Sequence, residues 1–344
     1  MSGRPAMADA SILLIVGGDQ PDHITSAKGK FTIMGATDLH LLLGKDEPTH
    51  RLHITSNFFR QQRRPELSSY LYLVNLITEP EHSSRVLDNL RKLLRDLPGK
   101  VVNRPEAVLK STRDQVARQL SGIPGLCAPR AIRLRAVKPA IAVQTIQKAG
   151  LTFPVILRQA GTHTGKIVGL FGGIDDMAAA VAGGDDHIAT EFVDFKSPDG
   201  LYRKYRVFFI GSQMIFRHML VSDEWNVHAK DRKRFMAERQ ELVDEEERMF
   251  ATPDGSFAPE VREVLKAVRE RIALDFFGMD FGIAADGRVV LFEANPAMNF
   301  FPFLADPQFA YVQRCIEPAR HAFRELLGLE PAALDSGNRL RTTG

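Results

Sequence analysis

The segment 276–299, FFGMDFGIAADGRVVLFEANPAMN, constrains this chain more than any other. Its Asp286-Gly287 pair, set between apolar alternations, reads as the tight turn of a β-hairpin with arms over 279–284 and 288–293. Asp280 sits on the first arm. Glu293 and Asn295 end the second, and at two residues apart they face the same side of the strand. Asp280 precedes the turn by about as many residues as Glu293 follows it, so the three side chains can converge. Two carboxylates and an amide oxygen make a hard-oxygen set suited to Mg²⁺, which keeps few protein ligands and shares the rest with phosphate and water. Such groups are otherwise costly in so apolar a hairpin. The plainer alternative is a turn cap, a strand-end charge and a loop start at Asn295-Pro296.

Upstream, residues 11–16 (SILLIV) read as a buried strand ending at Gly17-Gly18-Asp19. Another apolar block spans 70–77. A helical face follows, carrying Val86, Leu87, Leu90, Leu93, Leu94 and Leu97 and stopping at Pro98-Gly99; Val101-Val102 is then a short strand. Strand, helix, strand predicts a parallel α/β domain of about 100 residues. Residues 105–121 read as one helix, 122–129 as a connector and 140–149 as a short helix. Strands at 153–158 and 167–171 form a hairpin with a polar tip. A strand at 188–194 precedes a second hairpin, 201–210 and 213–220. Residues 229–250 read as a charged helix, with Asp244 to Arg248 on a solvated face, and 259–276 as an amphipathic helix. Residues 1–10 read as a loose leader and the last 15 or so as frayed.

At 344 residues the chain exceeds one minimal core. A net charge of +3 without a long basic stretch argues against a nucleic-acid partner. Cys127 and Cys315 have no neighbours at zinc or disulfide-framework spacing. The run Ile12 to Val16 is too short to span a membrane. The expectation is a soluble, cytoplasmic protein without membrane or nucleic-acid partners. Homo-oligomerisation is left open.

The 276–299 segment resembles the C-terminal signature of ATP-grasp ligases, a family that includes D-alanine–D-alanine ligase, glutathione synthetase and ribosomal-protein glutamate ligases. The resemblance covers roughly residues 100 to 305. It implies an α/β ATP-grasp fold with an N-terminal α/β pre-ATP-grasp domain over 1–103. A central lid subdomain over 104–190, a C-terminal subdomain over 191–330 and a tail over 331–344 would follow. It also implies ATP as cofactor and two Mg²⁺ ions, with Mn²⁺ as an alternative, on Asp280, Glu293 and Asn295.

Further residues are assigned by the same resemblance. Arg158 ends a strand where the family has a basic residue touching an ATP phosphate. Beyond it, the glycines and threonines of GTHTGK, with Thr164 and Gly165 among them, can bring backbone N–H groups to phosphate oxygens, and His163 and Lys166 can add charge. The string is not a P-loop: three residues separate its glycines, and Ile167 follows the lysine. Glu191, Phe192 and Val193 fall at the family's hinge, where backbone reads adenine, and Asp194 is the ribose candidate. Arg206, then Arg217, are candidates for holding the transferring phosphoryl group, with guanidinium geometry suited to it. Lys204 shares a strand face with Arg206, while Arg203 points the other way. Trp225, Asn226 and His228 follow in a polar loop that could line the substrate site or simply pack. A second phosphate contact falls to Arg113 or Lys110, with Arg113 nearer the family position.

One feature departs from a branch of this family, and another is a decoy. D-alanine–D-alanine ligases have an arginine two residues before the metal aspartate, and here that residue is Gly278, which argues against that assignment. The Asp280-Phe281-Gly282 string matches a protein-kinase motif, but no kinase catalytic loop precedes it. The implied reaction joins a carboxylate to an amine, as small molecules, amino acids or a peptide, through an acyl-phosphate. No Ser-His-Asp or Cys-His nucleophile is evident. A regulatory ATP-binding module and a phosphotransferase on the same fold are the rivals.

Overall fold

The apolar run at 11–16 becomes the central strand of a parallel sheet in the computed structural model. The structure describes residues 11–19, 24–27, 30–33, 37–44, 47–61, 65–97, 100–135, 138–161, 166–181, 185–252, 256–302 and 306–330. The expected leader and tail, and Thr162 to Gly165, lie outside the described residues. Strand β1 (Ile12–Gly18) is followed by a small hairpin of β2 (Ile24–Ala27) and β3 (Lys30–Ile33), then β4 (Thr49–Thr55) and a single turn, α1 (Phe58–Gln61). Next come β5 (Tyr72–Asn75), α2 (Ser84–Leu93) and β6 (Lys100–Val102). The sheet runs β4-β1-β5-β6, parallel throughout. Ile12, Leu14 and Ile15 are fully shielded, as expected where both faces of a parallel sheet are covered. The Gly17-Gly18-Asp19 turn brings the Asp19 carboxylate onto the start of α2, accepting from the backbone N–H of Arg85 (3.0 Å) and Val86 (2.8 Å).

The stretch 105–121 forms two helices, α3 (Pro105–Leu109) and α4 (Arg113–Leu120). They part at Lys110–Thr112, and the break points the start of α4 at the third sheet described below. The 122–129 connector contains a two-residue strand, β7 (Leu126–Cys127), which pairs parallel with the end of that sheet. The chain then builds a separate antiparallel sheet from β8 (Ala131–Leu134), β9 (Val155–Gln159), β10 (Ile167–Phe171) and β11 (His187–Glu191), in the order β10-β9-β11-β8. Helices α5 (Pro139–Ala149) and α6 (Ile174–Ala180) cover it. It has its own core, with Ile146, Val155, Leu157 and Met177 at the centre.

The third sheet, β13-β12-β14-β15-β7, comprises β12 (Tyr202–Ile210), β13 (Gln213–Ser222), β14 (Phe276–Ile283), β15 (Val289–Asn295) and β7. Helices α7 (Gln240–Ala251), α8 (Pro259–Arg271) and α9 (Ile316–Leu326) complete this body. Its core is continuous with that of the first sheet. Asn103 holds the two together. Its backbone is left-handed (φ 55°), its side chain donates to Phe276 O (2.8 Å), and its Oδ1 accepts from the N–H of Asp275 and Phe276 (2.9 Å each).

Two expectations are corrected here. The predicted helix over 229–250 is interrupted, with a π-turn over Arg232–Met236 ahead of α7. The Asp244 to Arg248 run is not wholly a solvated face. Glu246 falls on the same stripe as Leu242, Val243, Met249 and Phe250, so helical periodicity carries it into the core. There it pairs with Arg232 (Nη2–Oε1 2.6 Å) and accepts from Tyr311 OH (2.7 Å) and Met219 N (3.0 Å). Cys127 and Cys315 are free thiols. Among the described residues no helix is long and apolar enough to cross a membrane.

Candidate active site

Strand register lines up four polar side chains across the third sheet. His218 on β13 lies opposite Arg206 on β12, Arg206 opposite Asp280 on β14, and Asp280 opposite Glu293 on β15. Asn295 lies opposite Gly278, two residues along the same face from the Asp280–Glu293 pair. All of these side chains line a cleft of about 740 Å³ between the three sheets. The convergence expected from hairpin spacing is therefore present.

The carboxylates are engaged from both sides. Arg206 clamps Asp280 through two contacts, Nε–Oδ1 at 2.5 Å and Nη2–Oδ2 at 2.8 Å, with the Lys204 ammonium 3.6 Å away. Burial pushes the Asp280 carboxyl up, but Arg206 and Lys204 outweigh it and bring it down to about 2. Glu293 accepts from Arg113 on one oxygen and from the Asn295 amide on the other. The Asn295 oxygen accepts from Ala297 N (2.9 Å). Among the described residues no three His, Cys, Asp or Glu side chains gather as a metal set. Two carboxylates with an amide oxygen fit a hard cation that completes its shell from phosphate and water. Gly278 leaves no room for the arginine of D-alanine–D-alanine ligases, since a Cβ there would meet the Met298 sulfur at 2.7 Å.

The other expected residues divide. Arg113, first in α4, lines the cleft; Lys110 does not. Arg158 and Lys166 line it from the β9–β10 hairpin. Burial, then the charge of Arg113, push the Arg158 guanidinium down to about 9, and an anion bound beside it would reverse that push. Glu191, Phe192 and Val193 line the cleft at the end of β11, while the Glu191 carboxylate accepts from Thr152 N (2.8 Å). His163, Thr164 and Gly165 lie outside the described residues.

Two placements differ from expectation. Asp194 is exposed, does not line the cleft, and accepts from Lys196 N (3.0 Å) in a local turn. Arg217 does not line it either. Pairing slips between Arg206 and Val207, so Arg217 is the extra residue of a bulge, and its Nε donates to Phe300 O in the core. The slip gives His218 the position facing Arg206. His218 is nine-tenths buried, and its Nε2 has no hydrogen-bond partner among the described residues. Burial, then Arg206 and Arg217, hold its pKa well below the usual histidine range, so the ring is neutral.

The loop after β13 is fixed in place. Asp231 accepts from His228 N and Arg234 Nε (2.7 Å each), and Arg234 donates to Ser222 Oγ (2.8 Å). This holds Trp225, Asn226 and His228 at the cleft, with Trp225 edge-on to Phe192 at 5.5 Å. Sequence reasoning did not single out the turn from Thr78 to Glu81, which forms the wall contributed by the first sheet. Its position just beyond the carboxyl end of a parallel strand was the available signal.

More than nine-tenths of the chain superposes on solved structures of one architecture. Enterococcus faecalis VanG D-Ala:D-Ser ligase matches 92% of this chain and 98% of its own, with a TM-score of 0.51 and 13% identity. The Vibrio cholerae D-alanyl-alanine synthetase A matches 94% and 97%, also with a TM-score of 0.51 and 13% identity. The chain has the ATP-grasp fold. The Aspergillus clavatus carboxyaminoimidazole ribonucleotide synthase, solved with ATP, matches 93% of this chain and 77% of its own, with a TM-score of 0.50 and 14% identity. No family profile matches the sequence, and no curated relative does. The cleft lies between the sheet of β8–β11, the parallel sheet and the third sheet.

Proposed function

We propose that this chain is an ATP- and Mg²⁺-dependent ligase that joins a carboxylate to an amine through an acyl-phosphate. The carrying observation is the row of His218, Arg206, Asp280 and Glu293 along one wall of a cleft on an ATP-grasp fold. Asp280, Glu293 and Asn295 are the residues that would hold Mg²⁺, which when bound offsets phosphate charge. Arg158 and Lys166 would hold phosphates, and Glu191, Phe192 and Val193 would border the base. Arg206 would meet the transferring phosphoryl group, where developing charge favours a preorganised guanidinium. Arg113 orients Glu293.

In the first step a carboxylate oxygen bonds to the γ-phosphorus as the bridging P–O bond breaks and ADP leaves. In the second, the amine nitrogen bonds to the acyl carbon, the C–O bond to phosphate breaks, and nitrogen loses a proton. No protein nucleophile is required, so positioning and electrostatics carry the rate. The division into 1–103, 104–190 and 191–330 belongs to the same proposal, with one change: the sheet of β8–β11, which would be the lid, has its own core from Leu134 to Ala189, whereas α3, α4 and β7 pack with the main body, so the lid would begin near 131 and not at 104.

The test is an ADP-release screen with Mg²⁺ over pairs of amino acids and small carboxylates, with mass detection of product. ADP release that needs both partners and gives a condensed product supports the ligase. A phosphorylated product formed without an amine would mean a phosphotransferase. Nucleotide binding with no ADP release across the set would mean a binding module.

A further inference from the structure

Each oxygen of the Asp280–Glu293–Asn295 set already accepts a hydrogen bond from the chain. Arg206 takes both oxygens of Asp280, Arg113 and the Asn295 amide take those of Glu293, and Ala297 N takes the Asn295 oxygen. Lys204 adds a third cation, so two carboxylates face three positive charges. A bare divalent cation entering here would meet a net positive cluster and would have to displace Arg206 from a carboxylate that it holds through two contacts. A triphosphate changes both terms. It brings negative charge, and its oxygens suit the guanidinium that leaves Asp280.

We infer that Arg206, with Lys204 and Arg113, keeps bare divalent cations off these carboxylates, so that metal enters only together with nucleotide. The inference rests on the metal reading above. Nucleotide and metal exchange partners with the chain: the carboxylates pass from arginine to metal and the guanidinium from carboxylate to phosphate. By linkage, nucleotide raises metal affinity and metal raises nucleotide affinity by the same factor.

The experiment follows Mn²⁺ by electron spin resonance, using the full-length chain with and without AMPPNP and a protein-free Mn²⁺–AMPPNP blank. Wild type is compared with Arg206→Met, Lys204→Met and Arg203→Met. Arg203 is a control cation on the other side of β12, paired with Asp199 and Glu245. Without nucleotide, Arg206→Met should bind Mn²⁺ at least about tenfold more tightly than wild type, with Lys204→Met between them and Arg203→Met like wild type. AMPPNP should raise wild-type Mn²⁺ affinity by at least a similar factor. Equal affinity of wild type and Arg206→Met for Mn²⁺ alone overturns the inference, as does an Arg203→Met variant that behaves like Arg206→Met. Circular dichroism checks folding, and if Arg206→Met is unfolded, Lys204→Met against Arg203→Met decides the question. AMPPNP binding with no Mn²⁺ bound by any variant would instead overturn the metal reading itself.

Discussion

Arg232 and Glu246 meet inside the core, with the glutamate fully shielded from solvent and Tyr311 donating to the same carboxylate. The pair lies behind the candidate active site, because Glu246 also fixes the backbone of Met219, next to His218. Removing one partner leaves a buried charge, at a cost of about 3–5 kcal/mol. Glu246→Ala should lose stability of that order in urea denaturation. A paired Arg232→Met, Glu246→Leu replacement should recover much of the loss.

Glu293→Gln keeps the shape of the side chain and removes its charge. With an acid–amine pair returned by the ADP-release screen, Mg²⁺-dependent turnover should fall about 100-fold or more, near 2.7 kcal/mol of barrier. AMPPNP affinity, measured by calorimetry without metal, should change far less. Unchanged turnover would remove Glu293 from the metal set.

Acid should weaken the Asp280–Arg206 clamp in a defined window. The carboxyl falls from an ordinary 3.8 to about 2 in the folded chain. A depressed acid contributes its stability above the unfolded value and loses it as pH falls through the folded one. Wild type should therefore lose about 2 kcal/mol more than Asp280→Asn between pH values of roughly 4 and 2, read from urea midpoints.

The Asn103 node lends itself to a two-variant comparison. Asn103→Gly keeps the left-handed backbone and loses the side-chain bonds; Asn103→Ala loses both. Each unsatisfied buried partner costs about 1–3 kcal/mol, and the backbone conformation adds roughly 1–2 for alanine. Alanine should be the less stable of the two in denaturant unfolding.

Trp225 is the chain's one tryptophan and lines the cleft beside Phe192. AMPPNP titration should change its emission, and Phe192→Leu should alter the starting spectrum. A flat titration under conditions where calorimetry detects binding would place the nucleotide away from this wall.

Much of the candidate site was legible because side chains alternate along a strand and a hairpin brings its arms together. Alternation placed Lys204 with Arg206, and counting six residues from the Asp-Gly pair on each arm brought Asp280 near Glu293, although their direct pairing depends on a register shift at Phe292 that the count did not include. Arg217, taken as a candidate with Arg206 by resemblance, is instead the bulged residue of its strand and turns away from the cleft, which no local sequence signal marks. Glu246 was misread for its charge, although its place on an apolar helical stripe was visible in the sequence. Long-range partners such as Asn103 with Phe276 leave no local trace, since neither residue's neighbours require the other.

The sheet of β8–β11 leaves and rejoins the main body at adjoining points. Its entry strand, β7, is seated on β15, and just beyond it Arg130 O receives the N–H of Glu191 at 3.0 Å where the chain returns. Two neighbouring threads leave a body attached along one short line and nowhere else on that edge. Were that line the axis of closure over a ligand, the same two walls of the cleft would come together each time, and the Arg130–Glu191 bond would lie at the spine.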